Sequence, residues 1–371
     1  MSLGVVPTPV VSLMTRSAGA ALGVVITASH NPASDNGIKF FGPAGIKLTD
    51  ADESTVEAMM PAAAGKESAL ISKLAEPLAR YLELSAAILP PRSLSGWKIV
   101  LDTAHGAACV SSRAVLEALG ASLVMVGHEP DGKNINAGVG SQHPELMVGQ
   151  VRAVGARLGI AHDGDADRCI LCDELGEVLD GDEILTLLAL HALKQGRLAA
   201  QTLVITVQSN LGVDAAVSAA GGRVCRTQVG DRYVIERMLT EGASLGGESS
   251  GHVICSDISP TGDGLVAALK VIEVMLATGQ PLSKLRRVLT KFPQLSAALT
   301  VREKKPLDSL LALSAAIKSV ESEMGAAGRA LVRYSGTEPK LRLLVEGPTQ
   351  EIVQSAMDKL VTAVRAELEV I

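Results

Sequence analysis

The sequence predicts a multidomain α/β protein with mixed, largely parallel sheets and a smaller α+β domain at its C-terminal end. Three observations support this prediction. The chain has 371 residues, which is too long for a single hydrophobic core. Between residues 97 and 227, apolar strand-like segments alternate with helix-like segments, the β-α-β order that produces parallel sheets. After residue 296 the order becomes strand, helix, two adjacent strands and helix.

The individual elements follow from hydrophobic periodicity and from the residues that end each run. Strands are predicted where short runs are rich in Val, Ile and Leu, and helices where longer runs are amphipathic, as in the one that Gly120 closes. The predicted strands cover residues 23–26, 97–102, 122–126, 159–162, 169–172, 202–206, 223–227, 297–302, 329–334 and 340–346. The predicted helices cover residues 75–84, 112–119, 145–158, 182–195, 213–220, 262–277, 307–323 and 350–368.

Four domains are expected from this order. They comprise residues 1–84, an incomplete first α/β domain, then 85–182 and 183–295, a second and a third α/β domain, and 296–371, the α+β domain. The first boundary lies beside the Pro-rich segment 89–93, which is typical of a linker.

Composition excludes several classes of function. The net charge of −6 argues against a nucleic-acid or anionic-membrane partner, and 2% aromatic residues leave little for stacking on bases or sugars. No apolar run reaches the roughly 18 residues of a membrane span. The five scattered cysteines suit a reducing cytoplasm. Cys169 and Cys172 form a C-x-x-C pair inside a predicted strand, so we expect core thiols.

The first segment with chemical potential is residues 27–32, Thr-Ala-Ser-His-Asn-Pro. It places a hydroxyl, an imidazole and free backbone N–H groups at a turn after a predicted strand. Pro32 and the Asn36-Gly37 pair interrupt regular structure there. Ser29 is therefore a candidate for an exposed serine that carries a phosphoryl group. On these residues alone, a polar turn after a buried strand is the alternative.

The second segment is residues 163–168, in which Asp163, Asp165 and Asp167 alternate with Gly and Ala. On an extended loop these side chains project to one side. Their mutual repulsion favours a hard divalent cation with oxygen ligands, above all Mg²⁺. An EF-hand would also place Glu174 at loop position 12, but Arg168 stands at position 6, where Gly is required, and strands flank the loop instead of helices. A solvated acidic loop is the remaining alternative.

Two later segments suit the binding of sugar and phosphate. Residues 246–252 read Gly-Gly-Glu-Ser-Ser-Gly-His, in which a carboxylate and hydroxyls can bind a polyol; a plain glycine-rich turn is the alternative. Residues 333–340 read Arg-Tyr-Ser-Gly-Thr-Glu-Pro-Lys, followed by Arg342. Hydroxyls and backbone N–H groups between two arginines make a phosphate cradle. A hairpin turn with exposed charges is the alternative there.

Taken together and in this order, the four segments resemble those of the α-D-phosphohexomutase family. The resemblance runs from about residue 7 to the C-terminus. Segments 36–41, 131–136 and 229–234, together with Ser249, are similar to the branch of that family that acts on glucosamine phosphate. The resemblance implies a multidomain fold around a central cleft. It also implies a Mg²⁺-dependent isomerase, an intramolecular phosphotransferase that interconverts glucosamine 6-phosphate and glucosamine 1-phosphate through a phosphoserine and a 1,6-bisphosphate.

The resemblance also implies a role for each candidate residue. Ser29 carries the phosphoryl group and completes the Mg²⁺ shell with the three aspartates. His30 and Lys39 are candidate proton-transfer or phosphate-contacting groups, and Arg168 neutralises charge during the transfer. Glu248 and Ser250 hold the sugar hydroxyls. The distal phosphate is bound by residues of the last segment, namely Arg333, Ser335, Gly336, Thr337 and Arg342.

The implied partners are small molecules. They are a phosphorylated hexosamine as substrate and glucosamine or glucose 1,6-bisphosphate as primer, without nucleic acid or membrane, and the resemblance allows a homodimer. Three other functions stay open: a phosphomannomutase or phosphoglucomutase of the same family, a phosphatase that passes the phosphoryl group to water, and a catalytically impaired, truncated relative that only binds phosphosugars.

The start of the chain departs from the family pattern. Family members carry about seventy further residues ahead of the serine segment, with a Gly-Thr-Asp-Gly-Ile-Arg-Gly sequence whose arginine approaches the phosphoserine. Here the chain opens at residues 4–9, Gly-Val-Val-Pro-Thr-Pro. We therefore expect exposed sheet edge and apolar surface in the first segment, and low or absent activity of these 371 residues alone. His105 stands where relatives often have Asn, and we expect a structural role for it.

Overall fold

The computed structural model describes residues 1–60, 71–335 and 338–371. The chain divides into two compact units. One contains Met1–Ser209 and Ala216–Leu289, and the other contains Asn210–Ala215 and Thr290–Ile371.

Helices and strands alternate along most of the described chain. The helices are α1 (Thr8–Ser17), α2 (Asp50–Met59), α3 (Ala79–Ala86), α4 (Ala108–Ala118), α5 (Glu145–Val154), α6 (Gly181–Lys194), α7 (Leu211–Ala219), α8 (Asp231–Glu241), α9 (Gly264–Thr278), α10 (Leu282–Leu285), α11 (Leu311–Met324) and α12 (Gln350–Glu367). The strands are β1 (Gly23–Ile26), β2 (Ile38–Phe41), β3 (Lys98–Asp102), β4 (Ser122–Val126), β5 (Leu158–His162), β6 (Cys169–Cys172), β7 (Val178–Leu179), β8 (Thr202–Thr206), β9 (Arg223–Thr227), β10 (Leu245–Gly247), β11 (Val253–Cys255), β12 (Gln294–Thr300), β13 (Arg329–Tyr334) and β14 (Lys340–Glu346).

A five-stranded sheet in the order β4-β3-β5-β6-β7 forms one core of the larger unit. β3 pairs in parallel with β4 and β5, and β6 is antiparallel to both of its neighbours. Its central strands β3 and β5 are buried except at Lys98, because helices cover such a sheet on its faces; Met147 and Val151 of α5 pack on Val100 and Ala161. The loops after β3 and β5 leave the same edge and touch, where the Ala107 N–H donates to the Gly164 carbonyl at 2.8 Å.

A second sheet in the larger unit has the order β11-β10-β8-β9. β8 is parallel to β9 and β10, and β11 is antiparallel to β10. The turn between β10 and β11 contains the glycine-rich segment 248–252. This turn contacts the five-stranded sheet, since the Cys169 N–H donates to the Gly251 carbonyl at 2.9 Å and Arg168 forms a β-bridge with His252.

The first segment of the chain forms a two-stranded antiparallel sheet, β1 with β2, in which Gly23 faces Phe41 and Ile26 faces Ile38. The turn that joins the strands holds residues 27–37. Val24, Ile26 and Ile38 are 48%, 74% and 55% exposed. An apolar, exposed sheet face was the expectation for this segment.

The smaller unit is an antiparallel sheet, β12-β14-β13, packed on α11 and α12. Leu341, Leu343 and Val345 of β14 alternate toward a core that includes Val353 and Leu360 of α12. The order strand, helix, strand, strand, helix confirms the α+β prediction for this end of the chain.

Most predicted elements are confirmed, but four helix boundaries were wrong by four residues. α4 begins at Ala108, before the predicted start, and α3 and α11 begin at Ala79 and Leu311, after theirs. α5 ends at Val154, where a continuation to residue 158 was predicted. α5 ends there because Gly155 adopts φ 60° and its N–H donates to the Val151 carbonyl. The domain boundaries after residues 84, 182 and 295 fall inside α3, α6 and β12, and the four-domain division stays a prediction.

In residues 1–60, 71–335 and 338–371, no single helix is long and apolar enough to cross a bilayer. Gly264–Thr278 and Leu282–Val288 meet that criterion only together, as a pair bent by 92°.

Candidate active site

Ser29 lies at the tip of the turn between β1 and β2, and its side chain contacts the acidic loop, residues 163–168. Its hydroxyl donates to Asp163 Oδ2 at 2.8 Å. Ser29 adopts φ 53°, a left-handed conformation in which side chains are uncommon. Two hydrogen bonds hold it there: its N–H donates to Thr27 Oγ1 at 2.9 Å, and the Asn136 amide donates to its carbonyl at 2.9 Å. The turn is therefore built to present the hydroxyl to the aspartates.

The three aspartates of the acidic loop converge, as the sequence predicted, but on a turn instead of an extended loop. Ala166 adopts φ 60°, and its N–H donates to the Asp163 carbonyl at 3.1 Å. Asp163, Asp165 and Asp167 are all buried, and one oxygen of each lies within 4.8 Å of the others. The strands β5 and β6 flank the loop, and Glu174 binds Ser283 elsewhere, so an EF-hand arrangement is absent from this loop.

Lys39, from β2, is the principal cation against this cluster. Its ammonium donates to Asp165 Oδ2 at 2.7 Å and to Asp167 Oδ2 at 2.8 Å. Burial of Lys39 disfavours the charged form, but Asp167 and Asp165 outweigh it, so the pKa of Lys39 is raised. Arg168 adds charge from further away, with Nε 3.9 Å from Asp163 Oδ2 and 3.8 Å from Asp167 Oδ1.

The carboxylates do not ionise alike. Burial, together with the charges of Asp167 and Asp165, raises the pKa of Asp163 well above its usual range. Asp167 is equally buried, yet Lys39 and then His252 hold its pKa well below that range. The cations present therefore neutralise part of the cluster and leave Asp163, the partner of Ser29, as the carboxylate that resists ionisation.

The donor set fits a magnesium ion. Asp165 Oδ1 and Asp167 Oδ1 are buried and have no hydrogen-bond partner, which is an unfavourable state for a carboxylate oxygen unless something binds it. All of the donors are hard oxygens, which Mg²⁺ prefers. Asp163, Asp165, Asp167 and Ser29 Oγ are the groups that would hold it.

Two histidines lie beside the cluster. His252 is buried, with Nδ1 3.6 Å from Asp167 Oδ1, and Asp167 raises its pKa against the effect of burial. His30 is half-buried, its Nδ1 has no hydrogen-bond partner, and burial followed by the charge of Arg168 lowers its pKa. The sequence proposed His30 for the site and did not single out His252.

The glycine-rich loop, residues 246–252, adjoins the acidic loop. Glu248 accepts a hydrogen bond from the Gly230 N–H at 2.9 Å, and its own N–H donates to the His252 carbonyl at 2.9 Å. Ser250 Oγ is buried without a hydrogen-bond partner. The predicted pair Glu248 and Ser250 therefore lies in the same unit as Ser29 and the three aspartates. The Ser250 hydroxyl is available to bind a ligand.

The last predicted segment lies in the smaller unit, at the turn between β13 and β14. Arg333 and Arg342 are direct cross-strand partners, a like-charge arrangement that is destabilising, and Arg342 Nη2 donates to Glu338 Oε2 at 2.9 Å. Burial, and then the charge of Arg342, lowers the pKa of Arg333. Lys304 adds a third cation, whose ammonium donates to the Ser335 carbonyl at 2.7 Å. Gly336 and Thr337 lie outside the described residues.

The sequence missed two residues that support the site, one at the acidic loop and one at the turn that carries Ser29. Thr8, which α1 carries on its first turn, donates its hydroxyl to Asp165 Oδ2 at 2.7 Å, and its N–H donates to the Asp165 carbonyl at 2.9 Å. Asn136 binds the carbonyls of both Ser29 and Asn31, at 2.9 Å each. The segment 131–136 had a signal, its resemblance to the family, whereas Thr8 stood in no recognised motif.

Comparison with known proteins gives matches along the whole chain. Profiles of the phosphoglucomutase/phosphomannomutase family match in order: alpha/beta/alpha domain I at residues 1–66, domain II at 79–176, domain III at 180–292 and the C-terminal domain at 297–363.

Two of the curated relatives share a name. A phosphoglucosamine mutase of Moorella thermoacetica is 44% identical over 364 residues, which cover 96% of this chain and 82% of that protein. A phosphoglucosamine mutase of Magnetococcus marinus is 46% identical over 355 residues, 94% of this chain and 73% of that protein.

Solved structures agree on the fold. A putative phosphomannomutase of Thermus thermophilus has a TM-score of 0.79 at 24% identity and covers 98% of this chain and 82% of its own. The Aspergillus fumigatus N-acetylphosphoglucosamine mutase, solved with GlcNAc-6P and magnesium, has a TM-score of 0.70 at 18% identity. The match covers 97% of this chain and 92% of that protein. With four family domains matched in order and relatives well above 30% identity, the chain belongs to the phosphoglucomutase/phosphomannomutase family.

Proposed function

We propose that this chain is a phosphosugar mutase that interconverts glucosamine 6-phosphate and glucosamine 1-phosphate through a phosphoserine at position 29 and a 1,6-bisphosphate. The names of its curated relatives support the choice of sugar. The observation that carries the mechanism is the 2.8 Å contact between the Ser29 hydroxyl and Asp163, which joins the candidate nucleophile to a buried acidic cluster.

The acidic cluster is the proposed metal site, with Ser29, Asp163, Asp165 and Asp167 as ligands. The partnerless oxygens of Asp165 and Asp167 support this assignment. When bound there, Mg²⁺ neutralises the charge that builds up on a phosphoryl group during transfer. Lys39 and Arg168 contribute fixed positive charge to the same position, because both already face the aspartates.

The transfer itself is a displacement at phosphorus. In the forward step, the 1-hydroxyl of glucosamine 6-phosphate forms the new P–O bond while the bond from phosphorus to Ser29 Oγ breaks. The hydroxyl proton passes to His30, whose pKa is lowered, and returns to the sugar 6-oxygen in the second transfer. Lys39 cannot take it, because its ammonium is held protonated by Asp165 and Asp167, so of its two candidate roles we propose phosphate contact. The bisphosphate then turns end for end, and Ser29 Oγ takes back the phosphoryl group from position 6, which leaves glucosamine 1-phosphate and restores the phosphoserine.

The remaining candidates bind the parts of the sugar that do not react. Glu248 and the partnerless Ser250 hydroxyl are proposed to bind the sugar hydroxyls in either orientation. Arg333, Ser335 and Arg342, with Gly336 and Thr337, are proposed to bind the phosphate that is not transferred. The facing arginines support this role, because a phosphate relieves their repulsion.

A glucosamine or glucose 1,6-bisphosphate is proposed as the primer that phosphorylates Ser29. A variant of the Aspergillus fumigatus N-acetylphosphoglucosamine mutase has been solved in complex with glucose 1,6-bisphosphate. The cysteines Cys109, Cys169, Cys172, Cys225 and Cys255 are all free thiols, which supports a reducing compartment such as the cytoplasm.

The test is a coupled assay for glucosamine 1-phosphate formation with Mg²⁺ and a 1,6-bisphosphate primer. We expect turnover at the low rate anticipated for these 371 residues alone, and we expect intact-mass analysis to show one added phosphate. Both disappear in Ser29→Ala and persist in Ser34→Ala, a matched control because Ser34 is an exposed hydroxyl in the same turn that contacts only its neighbour Asp35. An Ser29→Ala protein that keeps both would contradict the proposal.

The competing functions give different products in the same assay. A phosphatase releases inorganic phosphate, whereas a mutase conserves it. A phosphomannomutase or phosphoglucomutase turns over mannose or glucose 1-phosphate faster than the glucosamine phosphates, so the ratio of kcat/KM values on these substrates decides between them.

A further inference from the structure

A cluster of polar contacts joins the start of α2 to the start of α8, and no role in catalysis has been given to it above. We call it the α2–α8 contact. On one side it contains Lys47, Asp50 and Glu53, and on the other Asp231, Arg232 and Tyr233. The second group belongs to segment 229–234, whose sequence was noted above only for its resemblance to one family branch.

The contact is made of charged and hydrogen-bonded pairs. Lys47 Nζ lies 3.2 Å from both carboxylate oxygens of Asp231. Arg232 pairs with Asp50, and with Glu53 at 3.4 Å. The Tyr233 hydroxyl donates to Asp50 Oδ2 at 2.8 Å.

The Lys47–Asp231 pair is better shielded than an ordinary surface ion pair, whereas Asp50, which binds Arg232 and Tyr233, is 59% exposed. The side chains of Lys47, Asp231 and Arg232 are 18%, 23% and 21% exposed. Partial burial weakens screening by water and salt. The start of α2 is itself fixed by a capping box, in which Thr49 and Asp52 bind each other's backbone N–H. The contact therefore joins two well-defined helix starts.

On the α2 side, the contact is close to Lys39. Lys47 forms a β-bridge with Phe41, the last residue of β2, the strand that carries Lys39. Movement of Lys47 would therefore act on the strand that brings the ammonium to the acidic cluster.

On the α8 side, the contact reaches the glycine-rich loop through one hydrogen bond. Gly230, next to Asp231, donates its N–H to Glu248 Oε1 at 2.9 Å. Gly230 adopts φ 136°, which side chains rarely allow, and an added Cβ would lie 3.2 Å from the Tyr233 ring. The backbone at the start of α8 is thus held in the conformation that aims this N–H at the carboxylate.

We propose that the α2–α8 contact positions the Glu248 carboxylate for the sugar, through the Gly230 N–H. Asp231, Arg232 and Tyr233 are positioning residues in this proposal, since they act through Gly230 and Glu248. The proposal rests on the proposed function only for the identity of the sugar ligand. If the α2–α8 contact only held the two helices together, the Gly230 N–H would not need to point at the Glu248 carboxylate.

The first test measures binding of glucosamine 6-phosphate by calorimetry to the wild type, Asp231→Asn and Tyr233→Phe. We expect each variant to raise Kd by about ten-fold, the size of one lost hydrogen bond to a charged group, and to leave the Kd of inorganic phosphate unchanged. Arg223→Gln is the matched control, because Arg223 pairs with Glu241 at the opposite end of α8. An Arg223→Gln protein with the same loss, or variants with an unchanged Kd, would overturn the proposal.

A double-variant cycle tests whether the effect passes through Glu248. In a Glu248→Ala background, Asp231→Asn is expected to raise Kd no further, because the carboxylate that it positions is gone. An additive, further ten-fold rise would show that Asp231 acts on the ligand by another route and would refute the positioning role.

A ligand-free measurement separates this proposal from the function itself. Hydrogen exchange of peptides covering residues 246–252 is expected to be faster in Asp231→Asn and Tyr233→Phe than in the wild type and in Arg223→Gln. If the wild type does not bind glucosamine 6-phosphate, the proposed function fails, yet the exchange rates still decide the positioning role. Unchanged exchange in both variants would overturn it.

Discussion

Replacing Lys39 with methionine removes the main charge that compensates the acidic cluster. Lys39 makes two ion pairs, at 2.7 and 2.8 Å, with carboxylates whose side chains are only 5% exposed. Methionine keeps most of the volume of the side chain and removes the ammonium. In metal-free buffer, at least one of Asp165 and Asp167 then faces its neighbours without a cation in contact.

The structure sets a ceiling on the resulting loss of stability. A carboxylate without a partner can escape repulsion by taking up a proton. For an aspartate of ordinary pKa 3.8, protonation at pH 7 costs about 4 kcal/mol, from 1.36 kcal/mol per pH unit. Breaking a buried ion pair by removing one partner costs about 3–5 kcal/mol, so we expect a loss of about 3–4 kcal/mol at pH 7. At pH 5 the ceiling falls to about 2 kcal/mol by the same relation.

Urea unfolding in EDTA at pH 7 and pH 5 measures both values. Arg113→Met is the control, because the Arg113–Glu117 pair is exposed and is worth about 1 kcal/mol or less. Adding Mg²⁺ is expected to recover part of the Lys39→Met deficit, because the ion binds only the folded cluster. A Lys39→Met protein as stable as Arg113→Met, or a deficit that does not change between the two pH values, would refute the reasoning.

Three further predictions concern other parts of the molecule. Burial raises the pKa of Asp263 from 3.8 to about 6. Between these two pH values the folded state keeps a proton that the unfolded state has lost, so the free energy of unfolding of the wild type falls by up to about 3 kcal/mol as the pH rises from 4 to above 6. Asp263→Asn lacks this titration, so its free energy of unfolding in urea should rise relative to that of the wild type between pH 4 and pH 7. Parallel pH profiles of the two proteins would contradict the prediction. Gly106→Ala places a Cβ 2.2 Å from the backbone of the acidic loop and should lower the free energy of unfolding by about 1–3 kcal/mol. Gly149→Ala, in α5 with open space around it, should raise the free energy of unfolding slightly. Equal effects of the two variants on the unfolding midpoint would contradict this. Arg333→Gln removes repulsion from Arg342 and should leave stability unchanged within about 0.5 kcal/mol or raise it, while KM for the phosphosugar rises, and a stability loss with unchanged KM would argue against the phosphate cradle.

The sequence predicted elements well where the pattern was local. The runs that became β3, β5 and β8 have apolar centres and are almost fully buried, as strands covered on both faces are. The helix boundaries were less accurate because a helix end depends on single backbone conformations. At Gly155 the left-handed φ ended α5, although the apolar pattern continued beyond it.

The chemistry was predictable where residue types alone limited the possibilities. Three alternating aspartates have few stable arrangements in a protein interior, so their convergence could be expected from their repulsion. The contact of Ser29 with Asp163 could not, because 134 positions separate the two residues and no spacing rule reaches that far. The resemblance to a family provided that link, and the structure gives it a distance.

Three of the residues that sequence reasoning missed share one physical property: they act at least partly through backbone atoms, whereas His252 acts on Asp167 through its ring. Asn136 binds two main-chain carbonyls, Thr8 donates its N–H to the Asp165 carbonyl, and Gly230 presents its N–H to Glu248. A backbone group is present at almost every position, so its use leaves no mark in the residue types. The side chains that carry charge can therefore be named from the sequence, whereas the groups that hold them in place need coordinates. If these two sets of groups act separately, Asn136→Ala should lower turnover by moving Ser29 and should leave the affinity of the acidic cluster for Mg²⁺ unchanged. A loss of Mg²⁺ affinity in Asn136→Ala would show that the positions of Ser29 and of the acidic cluster depend on each other.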